Sequence, residues 1–291
     1  VNQIPLQYFL LGLKCQRLVP LGFWLDLATR AGVPHIPAIF SPPFPVDEIF
    51  GVLDGKDAPG LQAAFVWLKD ALYSFVDEGR LPMVRWECCC DDDGKLRASK
   101  GEGWSAAWTE TTPDSPRVVD CTVGETTRLC VRPWVHAIRE AGYPVELRVF
   151  YGPEGYQGVS NYYPQRPLRK SPLILEAVRR ARAAARLMAG HDAFPIGFSA
   201  DFLVTGGGGE VIFLEGGPPY IAEPPGLPSA HPCCFVPGKV RGIALRFRSA
   251  LRSKVWLRQY RQDREERQKG DSDSRSWDRP GRPRRYRGAD R

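Results

Sequence analysis

GFSADFLVTGGGGEVIFLEGG, residues 197–217, decides the fold. Two apolar runs flank four consecutive glycines, and a glycine cluster between two such runs predicts a β-hairpin. Each run carries one acid, Asp201 on the outgoing strand and Glu215 at the end of the return strand. Two registers are open. A three-residue turn pairs Gly206 with Glu210 and sets Asp201 opposite Glu215 on one face. A four-residue turn pairs Thr205 with Glu210 and leaves Asp201 facing Leu214. The shorter turn is the expectation. Opposed carboxylates repel by roughly 0.2–1 kcal/mol, and a shared divalent cation would turn that cost into binding. Magnesium suits the role, because it takes hard oxygen ligands from one or two carboxylates plus phosphates. A surface hairpin with two solvated acids is the plainer alternative.

Upstream, VELRVFYGPEGYQGVSNYY at 145–163 reads the same way. Val145, Leu147, Val149 and Tyr151 alternate with Glu146, Arg148 and Phe150, and GPEG is a turn signal, so this is a second hairpin. Between the hairpins, 172–189 predicts a helix. Ser171 is a candidate N-cap, Pro172 suits the first helical position and Gly190 ends it. Its apolar stripe is Ile174, Val178, Ala181, Ala185 and Met188. Nearer the start, helices are expected at 20–31 and 60–78 and a strand from Met83 to Cys88, with Met83, Arg85 and Glu87 on one face. SPPFP at 41–45 reads as a rigid linker, 128–132 as a short strand, and WVHAIREAG after Pro133 as a helical turn. DDDGKLRASKGEGW at 91–104 is a candidate flap. Residues 219–237 are proline-rich and 240–262 could form a basic helix.

The 291 residues have ordinary globular composition, 43% hydrophobic and 25% charged, so wholly disordered and disulfide-dense classes are excluded. No apolar run reaches the ~20 residues of a membrane span, and the opening residues do not read as a secretory signal. The net charge of +7 is uneven. Residues 239–291 carry 18 Lys and Arg against 7 Asp and Glu, a net of +11, which leaves the body at −4. Nucleic acid is therefore expected only through the tail, which from 264 onward has almost nothing to bury and is expected to be disordered. The eight cysteines are Cys15, Cys88, Cys89, Cys90, Cys121, Cys130, Cys233 and Cys234. They show no CxxC spacing and read as reduced thiols of a cytoplasmic protein.

Three arginines stand among bulky apolar neighbours: Arg85 in MVRWEC, Arg132 in LCVRPWV and Arg148 in VELRVFY. A guanidinium so placed needs a carboxylate or a phosphate. A structural ion pair, for instance Arg148 with Glu87, is the alternative to a polyphosphate site. NYYPQRPL at 161–168 adds Asn161, Gln165 and Arg166 at a strand exit, and Lys95 and Lys100 sit in the candidate flap. That flap lacks the GxxxxGK[ST] order of a P-loop, and no HExxH or GxSxG occurs.

The order LCVRPWV, then VELRVFYGPEGYQGVSNYYPQR, then a helix, then FSADFLVTGGGGEVIFLEGGPP resembles the C-terminal half of ATP-grasp proteins. It is most similar to the divergent branch that holds the cell-division-cycle assembly factor for translation initiation factor two. The likeness covers about residues 83–220. It implies an α+β, ATP-grasp-like fold, with two α+β subdomains whose antiparallel sheets grip a nucleotide. The implied division is an N-terminal mixed region at 1–60, a small subdomain at 61–128, a C-terminal subdomain at 129–238 and the basic tail at 239–291. ATP and Mg2+ are the implied cofactors. Arg85 and Lys100 would reach the phosphates, and Arg132, Pro133, Trp134 and Val135 would form the hinge against the adenine. Arg148 and Arg166 would face the reacting centre, and Asp201 and Glu215 would be the metal ligands. The implied reaction is that of a ligase: a carboxylate is activated as an acyl phosphate and captured by an amine or thiol, with the substrates left open and a peptide or protein among the candidates. A non-ligating, ATP-binding assembly factor is the other reading. The chain departs from the family at one ligand, since Glu215 is followed by Gly216 and Gly217 where a carboxylate-x-Asn pattern is usual. Asp201→Asn or Glu215→Gln should then weaken magnesium-nucleotide binding and leave the fold intact.

Overall fold

The computed structural model describes residues 16–53, 55–79, 81–88, 125–140, 143–153, 155–162, 168 and 171–219. Helix α1 (Leu21–Arg30) buries Leu21, Trp24, Leu25, Leu27 and Ala28 on one side. It is followed by β1 (Ile39–Phe40), β2 (Phe44–Pro45), α2 (Val46–Leu53) and α3 (Pro59–Asp77). The Glu48 carboxylate accepts from the Leu61 amide at 2.7 Å, so the first turn of α3 is capped from the neighbouring helix. Then come β3 (Pro82–Trp86), β4 (Thr126–Thr127), β5 (Leu129–Pro133), β6 (Arg139–Glu140), β7 (Tyr143–Pro144), β8 (Glu146–Gly152) and β9 (Gly155–Asn161). Helix α4 (Pro172–Ala189) leads to the hairpin of β10 (Phe198–Val204) and β11 (Val211–Gly217).

The strands form antiparallel sheets. One has the order β1-β5-β3 and another the order β11-β10-β8-β9, with two-stranded ribbons β2-β4 and β6-β7 beside them. The class is α+β, as the resemblance implies. Two hydrophobic cores follow from the two larger sheets. The first packs α1 and α4 on the four-stranded sheet, with Trp24, Leu27, Leu147, Val149, Phe198, Phe202 and Phe213 at its centre. The second packs α3 on the three-stranded sheet through Leu61, Leu68, Phe75, Val84, Trp86 and Val131. The first core draws its helix from before residue 60, and the second draws β5 from beyond residue 128.

Helix α4 is built as its residues dictate. The Ser171 hydroxyl accepts from the Ile174 amide at 3.2 Å, a cap that contributes about 1 kcal/mol. Ile174, Ala177, Ala181, Ala185 and Met188 are buried, so Ala177 takes the stripe position expected of Val178, which is half-buried. Small residues along this stripe let the helix approach the sheet closely. Gly209, with φ of 79°, has the Leu173 carbonyl oxygen 2.9 Å from where a Cβ would stand, so the turn tip tucks against the first turn of α4.

The exposed face of α4 gives one pH prediction. Hydrogen bonds from Arg179 and then Arg180 hold the Glu176 carboxyl at about 2, below its ordinary 4.5. A folded-state value lower than the unfolded one stabilises the protein above the ordinary carboxylate range. That contribution is lost as pH falls from about 4.5 toward 2. An NMR titration should place the Glu176 midpoint near 2 and return it toward 4.5 in Arg179→Ala; an ordinary midpoint in the parent protein would overturn the assignment.

Two local expectations are corrected. The described residues of WVHAIREAG, 134–140, do not form the expected helix: Ile138 donates to the Val204 carbonyl at 2.7 Å, and β6 pairs with β7. Backbone bonds to the end of the inner strand β10 outweigh the helix propensity of this short segment. SPPFP is not a linker, because Ser41 bonds to both backbone groups of Leu129 and Phe44 is buried in the second core. The expected flap at 91–104, the proline-rich stretch, the basic helix and the tail lie outside the described residues. Among the described residues no helix is long and apolar enough to cross a membrane.

Candidate active site

The acid pair is formed by a combination of the two registers. At the turn, the Thr205 amide donates to the Glu210 carbonyl at 2.9 Å, and Val204 pairs with Val211, Leu203 with Ile212 and Phe202 with Phe213. This is the four-residue turn, not the expected three-residue one. A β-bulge between Asp201 and Phe202 then shifts the ladder, and Asp201 lies opposite Glu215, with Ala200 opposite Gly216. The extra residue on the return strand is Leu214. Phe213 is pinned from outside the hairpin: its amide donates to the Pro34 carbonyl at 2.8 Å and its carbonyl accepts from Ile36 at 3.2 Å. The segment 34–36 thus secures the strand just before it bulges.

Each acid meets an arginine. Arg148 on β8 is the ladder partner of Asp201 on β10. Its Nε donates to Oδ1 at 2.6 Å and its Nη2 to Oδ2 at 2.5 Å, a two-bond contact. Asp201 is 2% exposed and Arg148 8%, and the Tyr162 ring lies 4.6 Å from the guanidinium carbon. Arg85 on β3 reaches across from the three-stranded sheet, where its Nη1 donates to Glu215 Oε2 and its Nε to the Trp86 carbonyl at 3.1 Å. Val84 and Trp86 point the other way, into the second core. The partner considered for Arg148, Glu87, is taken instead by Arg128, at 2.8 and 2.5 Å. That hydrogen bond, against the opposing pull of burial, raises the affinity of Arg128 for its proton.

A cleft opens over this group. Its charged lining includes Arg85, Arg132, Arg139, Glu146 and Glu215, and its apolar lining includes Ile36, Met83, Leu203 and Leu214. Pro133, Trp134 and Val135 run along one wall, where the Trp134 amide is engaged by the Leu81 carbonyl at 2.7 Å. Arg132, 1% exposed, donates from Nη2 to the Ile36 carbonyl at 2.9 Å. Of the ten residues to which the resemblance gives site roles, Arg85, Arg132, Pro133, Trp134, Val135 and Glu215 line this cleft, and Asp201 stands on the strand next to Glu215 with Arg148 beyond it. Lys100 and Arg166 lie outside the described residues. Glu146, Ile36 and Trp24 were not singled out. For Glu146 the signal was available, since it alternates onto the face of Arg148. Ile36 and Trp24 come from a segment with no chemical signature.

The donor set tests the fit of a divalent cation. Among the described residues no cluster of three or more His, Cys, Asp and Glu occurs. Asp201 and Glu215 face each other across the β10–β11 ladder, and Glu146 also lines the cleft. A carboxylate offers about four lone-pair sites, so an arginine contact does not exhaust either group. Magnesium characteristically takes one or two carboxylates and completes its octahedron with phosphates and waters, which this pair fits. At Gly217 an added Cβ would meet the Ser199 Oγ at 3.6 Å, an ordinary van der Waals contact.

No family model and no curated protein matches the chain. Solved structures similar to it include the D-alanine-D-alanine ligase from Coxiella burnetii, with a TM-score of 0.41 and 12% identity over 69% of this chain and 47% of that one. Another is the D-cycloserine synthetase DcsG, at 0.40 and 19% over 69% and 62%. A third is Cdc123 from Schizosaccharomyces pombe, at 0.40 and 11% over 70% and 84%. The chain spans less than two thirds of the first two proteins.

Proposed function

We propose that the chain is an ATP- and magnesium-dependent ligase of the ATP-grasp kind, activating a carboxylate for capture by an amine or thiol. One observation carries this reading: a cleft between two antiparallel sheets collects the Arg85 and Arg132 guanidiniums, the Glu215 carboxylate and an apolar wall, and Asp201 lies opposite Glu215 on the neighbouring strand. Ile36, Met83, Leu203 and Leu214, with the 133–135 wall, offer the dry surface a flat base needs. Arg85 and Arg132 neutralise the phosphates, and Arg148, held by Asp201 and stacked on Tyr162, presents a fixed positive charge at the reacting centre. Asp201 and Glu215 hold the cation, which would supply charge neutralisation for phosphoryl transfer. Positioning and electrostatics are the whole of the protein's task in such chemistry, and the residues of the cleft suit it. Lys100 and Arg166 are proposed as further phosphate and substrate contacts on the resemblance alone.

A second reading has its own observation. Gly217 stands where the family pattern has a third ligand, and a cation held by two carboxylates grips nucleotide without being fixed for transfer. The chain would then be a nucleotide-dependent binding module for a protein partner. Calorimetric titration of ATP with magnesium should give saturable binding at one site per chain; absence of binding would overturn both readings. ADP release that depends on an added carboxylate and amine or thiol would select the ligase, whereas stable binding without turnover across a substrate panel would select the module.

A further inference from the structure

We propose that the outward face of α4 is a docking surface for an acidic amphipathic helix of a partner protein. The inference goes beyond the nucleotide reading and stands without it, because the residues that line the cleft all come from other elements. Helix α4 turns Ile174, Ala177, Ala181, Ala185 and Met188 toward the first core. Leu175, Arg179, Arg182 and Arg186 follow one another at intervals of four, three and four residues, which sets them in one line on the opposite side. All four are exposed, with Ala183 and Leu187 exposed beside them. The line runs for about 16 Å, roughly three turns of helix.

The charge of this face is set against that of the chain around it. Helix α4 holds four arginines, no lysine and one acid, whereas residues 1–238 together carry a net charge of −4. Glu176 is already engaged by Arg179 at 2.7 and 2.6 Å and by Arg180 at 2.7 Å, and among the described residues no carboxylate pairs with Arg182 or Arg186. The row is also ordered before a partner arrives. Glu176 accepts from Nε and Nη2 of Arg179, which leaves the Nη1 donors of the fork to a partner. The Arg182 guanidinium carbon lies 4.4 Å from the centre of the Tyr156 ring. Side chains held in this way lose less freedom on binding. Leu175 and Leu187, 47% and 53% exposed toward the two ends of the row, decide the class of partner. The phosphates of a nucleic acid would satisfy the arginines and bury neither of these side chains. A helix with carboxylates along one line and apolar residues beside them does both, since its charges orient it and its apolar residues make the dry contact.

Fluorescence anisotropy on the full chain tests this with a labelled helical peptide of about 18 residues, carrying glutamates along one line and leucines beside them. Saturable binding is expected, and it should weaken as salt rises. The double variant Arg182→Glu, Arg186→Glu should bind about tenfold or more weakly, and the double variant Leu175→Ser, Leu187→Ser several-fold more weakly. Near-ultraviolet circular dichroism confirms that each variant is folded. Residues 239–291 add a net charge of +11 that any acidic peptide would sense, so the deciding arm reverses the charges. A peptide with lysines in place of the glutamates should bind the arginine double variant more tightly than it binds wild type. No saturable binding of the acidic peptide by wild type overturns the proposal, as does equal affinity of wild type and the arginine double variant for either peptide. A single-stranded oligonucleotide is titrated alongside. If the arginine double variant loses more affinity for the oligonucleotide than for the peptide, or the leucine double variant binds the peptide as tightly as wild type, the face is not a site for an amphipathic helix.

Discussion

Arg148→Met is expected to lower the stability of the folded chain by about 3–5 kcal/mol, the range for breaking one side of a buried ion pair. Asp201 is 2% exposed, and both its oxygens accept from Arg148. Methionine fills much the same space and removes the guanidinium from both Asp201 oxygens. Asp201→Asn acts from the other side and removes the charge that Arg148 grips. A stability cost is therefore added to the binding effect expected of Asp201→Asn, because sequence spacing shows that two acids face each other but not that an arginine grips both oxygens of one. The double variant Arg148→Met, Asp201→Leu should recover most of the loss, since an apolar pair of similar volume avoids the desolvation penalty altogether. Urea unfolding of the three variants measures this. A single-variant loss below about 1 kcal/mol would mean that the pair behaves like an exposed one.

Trp24→Ala should cost about 3–5 kcal/mol, the usual loss for a large aromatic removed from a core. The ring is fully buried, donates from Nε1 to the Leu18 carbonyl at 2.8 Å, and stacks on Phe194 at 5.9 Å with planes 8° apart. It also lies directly against Gly216, where an added Cβ would fall 2.3 Å from the ring. Gly216→Ala should therefore be destabilising by itself, by about 1–3 kcal/mol for overpacking. Combined with Trp24→Ala it should cost less than the sum, because the cavity accepts the methyl group. A double-mutant cycle that proves additive would show that the strand end shifts freely. Because Gly216 follows Glu215, this contact also makes α1 the support behind one wall of the cleft.

Much of this was legible in the chain. Both hairpins, α4 with its cap, and the Met83–Arg85 face were readable because local periodicity and turn chemistry fix them within a few residues. The acid pairing was foreseen, though by a route the structure does not take, because a bulge is a compromise between a turn and a distant constraint. That constraint is the bridge from His35 to Phe213, and it joins residues 178 positions apart. The non-helical course of 134–138 escaped for the same reason: its bonds go to Val204 and Leu81, not to neighbours in the chain. Arginine partners were the least legible. Arg148 had a plausible mate in Glu87, and only the three-dimensional ladder gives it Asp201.

The bulge at Leu214 uncouples the tip of the last hairpin from its base. Strand pairing beyond Phe202 follows the loop, while pairing at Asp201 follows the body of the protein. Gly207 and Gly208 are exposed, and a Cβ at Gly207 would meet nothing within 4 Å. A short epitope or fluorophore attachment sequence inserted between these two glycines should be carried without disturbing the chemistry at the other end. The hairpin is thus a natural handle for immobilising or labelling the molecule while its ligands are studied.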